Sequence, residues 1–370
     1  MTSWPATAGS GGVSEVAVVP GGLQVSHASG LHAVNRVLGE MHHEMLRAGG
    51  VEGSAVRLSV LNLVAACVDV PSADLASQAV GRLGAHHPAR AVIIVAVPDG
   101  PNQIEADLSL QCSAVDSGQV CAEVVRLTVS GEAAYHLASV VTPLLVPDIP
   151  VFLWLVGSPP LQQAFGQDAV AICERLIIDS GEYDDHAGTL QTLADELDVV
   201  GDAISLADIA WERSRTWRQV IAQSFDGEEV RRFARGIERV DVECSGDRIS
   251  AQTWLLAGWL SSRLDWQGAT RRPRVVPAAR PADDVDEHDL LRVSIRCSSG
   301  GHRCDVTLER RGSALLSVID VDGGIRAERA VPVTDVDTVD LVGGLLEDST
   351  EDPVYRSALR SAAALANQAR

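Results

Sequence analysis

The sequence predicts an α/β N-terminal domain, a mixed sheet flanked by helices, followed by an α+β C-terminal domain. Three observations carry this. The chain has 370 residues, enough for two domains at roughly 150 residues each. In its first half, short apolar runs alternate with stretches of helical spacing, the pattern of strands packed under helices. In its second half, Trp-containing helical stretches precede a series of alternating strands that ends in two more helices. We place the domains at residues 25–185 and 186–370, behind a flexible tail at 1–24 in which Ala8-Gly-Ser-Gly-Gly12 and Pro20-Gly-Gly22 resist ordering.

The elements follow in order. Leu31, Val34, Val37, Leu38, Met41, Met45 and Leu46 recur at helical spacing within 27–48, and Gly49-Gly50 stops the run. Arg57 to Asp69 is an almost continuous apolar strand ending at Pro71, after which Ser72-Ala-Asp74 caps a helix to Leu83. Ala91 to Val97 is wholly apolar, hence a strand buried on both faces, and Pro98-Asp-Gly-Pro101 is a turn. Ile104–Cys112 and Val120–Val129 form two antiparallel strands, and Gly131–Thr142 a short helix. The next stretch, Pro143-Leu-Leu-Val-Pro-Asp-Ile-Pro-Val-Phe-Leu-Trp154, is nearly all apolar yet holds three prolines. Proline inside a helix or a central strand removes a hydrogen bond. The stretch therefore reads as a helix exit, a fixed turn around a buried Asp148, and a strand from Val151. Gly157-Ser-Pro-Pro160 opens a further helical stretch, and Arg175-Leu-Ile-Ile178 is a strand ending in Asp179-Ser180.

In the second half, Leu190–Val200 and Leu206–Ser224 have helical spacing and Ile237–Cys244 reads as a strand. Gln252–Leu264 is a helix carrying Trp254 and Trp259, with Trp266 just beyond it. Residues 267–289 form a mobile loop in which four arginines precede a block of acids. Leu290–Val331 is a meander, and 337–347 and 353–367 are helices.

Composition excludes several functions. The net charge of −20 repels phosphate backbones and anionic bilayers, so neither nucleic acid nor membrane is expected as a partner. Every basic residue is arginine. A phosphate-binding P-loop and a Schiff-base enzyme both need lysine, so both are excluded. Leu137–Gly157 has the length of a membrane span. Asp148 at its centre would cost roughly 2.5–3.5 kcal/mol, and three prolines break the required helix. Seven cysteines without a Cys-x-x-Cys pair, and no secretory signal, fit reduced thiols in a cytoplasmic protein with no metal. No cofactor is implied.

Several groups invite chemistry. His42 and His43 lie near Glu40 and Glu44, but Arg47 stands where a His-Glu-x-x-His metal motif needs its second histidine. His87 with Arg90 suits an anion, while the plainer reading is a strand entry fixed by Pro88. Asp179-Ser180 lacks the Gly-x-Ser-x-Gly of a nucleophile elbow and reads as a cap of the following loop. Asp148, between Pro147 and Pro150, is a base or, more simply, a cap for backbone N–H groups. Cys112 and Cys121 face each other on the proposed hairpin and form a candidate redox pair, and Cys297 and Cys304 raise the same question. Trp211, Trp217 and Arg218 mix the residues of cores with those of interaction hot spots. One function consistent with these groups is a sugar-phosphate-binding module or enzyme at a sheet edge around His87, Arg90 and Asp179.

A set of segments in order also resembles one family. These are His87-Pro-Ala-Arg-Ala-Val-Ile-Ile94, Glu105-Ala-Asp-Leu-Ser109, Cys121-Ala-Glu-Val-Val-Arg-Leu127, the Pro143–Trp154 stretch, Arg175-Leu-Ile-Ile-Asp-Ser180, Asp208 to Asp226, and Glu351-Asp-Pro-Val-Tyr-Arg-Ser-Ala-Leu359. Together they resemble the OpcA family, which assists assembly of glucose-6-phosphate dehydrogenase. The resemblance implies a non-catalytic assembly factor and allosteric activator whose partner is that dehydrogenase, serving oxidative pentose phosphate flux and NADPH supply. It marks His87, Pro88, Arg90, Pro147, Asp148, Pro150, Trp154, Asp179, Ser180, Trp211, Trp217 and Arg218 as family-motif or partner-binding positions. Thiol control is associated with family members from photosynthetic organisms, which is the interest of Cys112 and Cys121. The chain departs from the family at Trp154-Leu155, where members often carry two tryptophans.

Overall fold

Short apolar runs become sheet and the prolines become joints. A computed structural model describes residues 17–19, 23–48, 55–56, 59–84, 88–115, 118–161, 170–246, 248–266, 271–277, 290–333, 336–347 and 350–369. The chain forms two units, Met1–Leu176 and Ile177–Arg370.

In the first unit, β1 (Ala17–Val19) and β2 (Leu23–Ser29) precede α1 (Leu31–Ala48) and the two-residue β3 (Ala55–Val56). β4 (Leu61–Cys67), α2 (Val70–Leu83) and β5 (Ala89–Val97) follow, then the hairpin β6 (Gln103–Val115) and β7 (Gly118–Ser130). A short helix α3 (Leu137–Val141) and β8 (Val151–Val156) close the unit. The strands run in the order β1-β2-β6-β7-β5-β4-β8, with β3 beside β7. β7, β5, β4 and β8 are parallel neighbours, and β6, β2 and β1 extend the sheet antiparallel. This is the mixed sheet flanked by helices that the alternation predicts. α2 packs on β4, β5 and β7, so β5 is buried through most of its length.

Two expectations are corrected here. Ala17–Val19 is a strand, paired antiparallel with Leu23–Val25, inside the stretch expected to be tail. Pro71 does not end a strand; it occupies the first turn of α2, where its missing N–H has no helical partner to lose. The cap is Asp69, whose carboxylate accepts from Ser72 N at 2.8 Å, rather than Ser72-Ala-Asp74.

In the second unit, β9 (Arg175–Ile178) enters from the boundary and leads to α4 (His186–Val200), β10 (Ser205–Asp208), α5 (Ile209–Arg213), α6 (Arg215–Gln223) and α7 (Glu228–Arg231). β11 (Ile237–Cys244), α8 (Ala251–Arg263) and β12 (Arg274–Pro277) precede the meander β13 (Leu290–Ser299), β14 (His302–Arg311), β15 (Ala314–Val321) and β16 (Gly324–Pro332). α9 (Thr338–Glu347) and α10 (Pro353–Ala369) end the chain. The sheet order is β12-β11-β13-β14-β15-β16. β13–β14 turns through Gly300-Gly301 and β15–β16 through Asp322-Gly323, all four at positive φ, the geometry that two-residue hairpin loops require. Burial alternates along β14 and β15, as in a sheet packed on one face.

Two further expectations change. The helix expected from Leu206 begins only at Ile209, because Ser205–Asp208 is a fully buried strand too short to show its own period. Arg274–Pro277, inside the expected mobile loop, pairs parallel with Asp241–Cys244; the remainder of that loop from 278 lies outside the described residues. α8 and α10 approach closely at Gly258, where an added Cβ would run into the Ala358 carbonyl oxygen of α10. Among the described residues, no helix is long and apolar enough to cross a membrane.

Candidate functional site

The first unit uses its polar motif residues to hold the proline-rich joint. Asn62 stands second in the apolar strand β4 and is fully buried. Its side-chain amide donates to the Val146 carbonyl at 2.9 Å, and its oxygen accepts from Val146 N at 2.9 Å. Its backbone N–H donates to the Pro150 carbonyl at 2.8 Å. One side chain thus closes the turn through Pro147 and Asp148. Arg90 and Glu123 are register partners on β5 and β7, and they form a buried ion pair. Arg90 Nη1 also donates to the Leu144 carbonyl at 2.7 Å, so β5 grips the start of the same joint. Trp154 is buried in β8, opposite Ala65 of β4.

Asp148 is corrected. It is exposed, not buried, and sits at φ 63°, a region that Asp tolerates better than most residues. The capping expected of it falls to Asn62. Pro88 starts β5 as expected, its carbonyl accepting from Val60 N at 2.8 Å. His87 lies outside the described residues.

In the second unit, three distant motif segments meet at one buried carboxylate. Asp208, at the end of β10, is 1 % exposed. Its Oδ1 accepts from Ser180 N at 3.1 Å and Ala210 N at 2.9 Å, and its Oδ2 from the Tyr355 hydroxyl at 3.2 Å. Burial first, then the nearby charge of Asp179, pushes its carboxyl up to about 6, against the pull of the two N–H donors. Burial likewise raises the Tyr355 phenol far above its usual range, with Asp208 adding to it. The Tyr355 ring lies 5.7 Å from that of Trp211. Trp211 Nε1 donates to Asp352 Oδ2 at 3.0 Å, while Asp352 Oδ1 caps α10 by accepting from Val354 N and Tyr355 N. Arg218 lies over the Trp211 ring, its guanidinium carbon 3.4 Å from the centroid, and burial lowers its pKa to about 10. Asp179 is buried and paired with Arg213 Nη1 at 2.6 Å, and it caps Gly181 N at 3.0 Å, the loop cap the sequence suggests. Trp217 is buried, so the tryptophans of this segment face core rather than solvent.

Two of the three residues of the sugar-phosphate site read around His87, Arg90 and Asp179 are thus committed elsewhere. Arg90 is consumed by Glu123 and Leu144, and Asp179 by Arg213. The backbone register sets Cys112 directly opposite Cys121; their side chains lie outside the described residues. Cys297 and Cys304 are likewise opposite each other, but both are buried free thiols, and burial pushes them up to about 12 and about 11.

The first unit also has a concave surface. A cavity of about 220 Å³ opens at the carboxyl ends of β4, β5 and β8, lined by Cys67, Val68, Ala96, Tyr135, Leu155 and neighbouring prolines. Val68 and Tyr135 stay exposed, as do Val70 and Val97 beside them. The Cys67 thiol is pushed up to about 12 by burial, so at neutral pH it is protonated and a poor nucleophile. Among the described residues, no group of three or more metal-binding side chains comes together.

Sequence reasoning missed Asn62, Glu123, Asp208, Arg213 and Tyr355 as site members. The available signal was a polar residue inside an otherwise apolar strand, as Asn62 is in Leu61-Asn-Leu-Val64 and Glu123 in Ala122-Glu-Val-Val125.

Comparison with known proteins gives two successive domain matches. Residues 81–195 match the N-terminal domain, and residues 204–359 the C-terminal domain, of the family described as glucose-6-phosphate dehydrogenase subunit, OpcA. The chain belongs to the OpcA family. OpcA of Nostoc punctiforme, provisionally named an OxPP cycle protein, is 27 % identical over 184 residues, which cover 49 % of this chain and 39 % of that protein. OpcA of Synechocystis sp., named likewise, is 25 % identical over 187 residues, covering 50 % and 38 %. The chain thus spans about two fifths of these curated relatives. Among solved structures, glucose-6-phosphate 1-dehydrogenase from Mycobacterium avium aligns with a TM-score of 0.40 and 10 % identity, over 82 % of this chain and 90 % of that one. A Gfo/Idh/MocA family oxidoreductase from Vibrio cholerae aligns at 0.36 and 11 %, over 84 % and 98 %. Neither likeness is close enough to bear on fold or function.

Proposed function

We infer that this OpcA-family chain is a non-catalytic cytoplasmic partner of glucose-6-phosphate dehydrogenase that favours its active oligomer and so supports oxidative pentose phosphate flux and NADPH supply. The observation that carries this is the ordered match of the chain to the two OpcA domains, over residues 81–195 and 204–359. The geometry agrees with it: Arg90, Asp179, Asp208 and Trp211 are satisfied by their own neighbours. Activation proceeds by population shift, because a partner moves an equilibrium only by binding one state more tightly than the other. Linkage then requires substrate to tighten the complex by the same factor. The exposed apolar rim at Val68, Val70, Val97 and Tyr135 is the surface we assign to the contact.

The test measures dehydrogenase kinetics with and without the purified protein, and co-elution on sizing. Raised activity and a joint peak are expected, both lost in Tyr135→Asp. Unchanged kinetics together with separate elution would sink the reading.

A further inference from the structure

We propose that the second unit carries a binding site for a small phosphomonoester of a polyol, in the cleft between the carboxyl end of α8 and the outer face of α10. A cavity of about 300 Å³ lies there, lined by Ser261, Trp266, Arg272, Ser357, Arg360 and Ser361, with Gln368 at its end. In a chain of net charge −20, two guanidinium groups on one small cavity form a local exception to the field. Arginine is the side chain whose fork of N–H donors matches a phosphate.

Both arginines keep donors to give. Arg360 spends Nε and Nη2 on Asp198 Oδ1, at 3.0 and 2.7 Å, and its Nη1 has no partner among the described residues. Arg272 spends Nη1 on Gln368 Oε1 at 2.6 Å, leaving Nε and Nη2. Asp198 offsets part of the Arg360 charge, but it is largely exposed, and Arg272 has no acidic partner among the described residues. Among the described residues, an anion in the cleft therefore meets more positive charge than negative.

The serines point to the rest of the ligand. Ser261 Oγ donates to the Trp266 carbonyl at 3.0 Å and Ser357 Oγ to the Pro353 carbonyl at 2.9 Å. With their protons committed, both oxygens can meet a ligand only as acceptors, which suits ligand hydroxyls. Ser361 donates to no described residue. Such a wall recognises a phosphate attached to a hydroxylated carbon chain rather than phosphate alone. At roughly 30 Å³ per water-sized volume, the space holds on the order of ten non-hydrogen atoms. That matches the size of a three-carbon phosphomonoester. The Arg272–Gln368 bridge also walls off a second cavity of about 170 Å³, which shares Arg272, Leu365 and Gln368. Exchange of Gln368 for phosphate at Arg272 would join the two and admit a five-carbon ester.

Isothermal calorimetry on the full chain, at fixed ionic strength, tests this with glycerol 3-phosphate, ribose 5-phosphate, inorganic phosphate and glycerol. Saturable binding of an ester is expected, with a dissociation constant on the order of a millimolar, weaker binding of inorganic phosphate, and none of glycerol. Arg272→Gln and Arg360→Gln should each weaken the ester by roughly 10- to 100-fold, the scale of a charge-assisted hydrogen bond, and Ser361→Leu should fill the space and abolish binding. Arg272 is exposed and makes one hydrogen bond, so its variant stays folded and decides the matter if Arg360→Gln does not. No saturable heat with either ester, equal binding of inorganic phosphate, or unchanged affinity in Arg272→Gln overturns the proposal.

Discussion

Replacing Asp208 by asparagine should stabilise the second unit at neutral pH, although it removes a carboxylate that accepts three hydrogen bonds. Asparagine keeps two and reverses the third: its carbonyl oxygen accepts from Ser180 N and Ala210 N where Oδ1 does, and its amide donates to the Tyr355 oxygen where Oδ2 accepted from it. What disappears is a buried negative charge beside Asp179. The carboxyl is raised from 3.8 to about 6 by burial first and by Asp179 second. At about 1.36 kcal/mol per unit of pKa, ionising it in the fold costs about 3 kcal/mol relative to the unfolded chain. The sign follows from proton counting. Between pH 4 and 6 the folded protein holds this proton and the unfolded chain does not, so stability falls as pH rises through that window and is level above it. The asparagine variant should therefore match the natural protein near pH 4 and exceed it above pH 6, by up to about 3 kcal/mol. For a unit of this size that is roughly 6–12 °C in melting temperature. Tryptophan emission during thermal unfolding is the assay, because five of the seven tryptophans lie in this unit. A variant less stable at pH 7.5, or one whose advantage is the same at pH 4, would refute the assignment of a strained buried charge.

Three other outcomes follow from the packing. Asn62→Ala should cost about 1–3 kcal/mol by leaving the Val146 N–H without its acceptor, read as faster hydrogen exchange at Val146; unchanged protection there would remove Asn62 from the role. Gly258→Ala should cost about 1–3 kcal/mol or more by overpacking, since its Cβ meets backbone atoms of Ala358 and Ala362, and an unshifted melting curve would contradict the close approach of α8 and α10. Cys67, Cys173, Cys297 and Cys304, all buried with thiols pushed up to about 11 or 12, should resist iodoacetamide at pH 8 and react once denatured; mass spectrometry showing native alkylation at any of them would count against the burial.

The legible parts of the fold were those with an uninterrupted period. Ile237–Cys244 is a strand over the residues its alternation predicts, and the meander from Leu290 falls where Gly300-Gly301 and Asp322-Gly323 mark its turns. The misread parts had conflicting local signals. The helix expected from Leu206 takes in most of Ser205–Asp208 because four residues carry no period of their own, and only tertiary burial makes them a strand. Asp148 was expected to be buried because its neighbours in sequence are apolar. The turn instead points it outward, and Asn62, 86 positions earlier in the chain, takes the buried polar role. Sequence proximity could show that the joint needs a cap; only the β4–β8 register shows which residue supplies it.

That displacement of roles bears on how a motif should be interpreted in this family. Ser180, Asp208 and Tyr355 come from segments far apart in the chain, and Ser180, Ala210 and Tyr355 each donate one bond to the buried Asp208 carboxylate. A buried charge held at a cost is weak evidence for stability, and fixing one arrangement among several is the better-attested use of such groups. On that reasoning the motifs are informative because they specify how the second unit closes, and they need not touch any partner. Fold-determining and partner-determining residues should then separate by experiment. Asp208→Asn, which preserves the arrangement, should leave dehydrogenase activation intact while moving stability. Tyr135→Asp, on an exposed rim that makes no such bonds, should do the reverse. If Asp208→Asn abolished activation in a protein that still melts cooperatively, the hub would belong to the contact after all, and the apolar rim of the first unit would lose its claim to it.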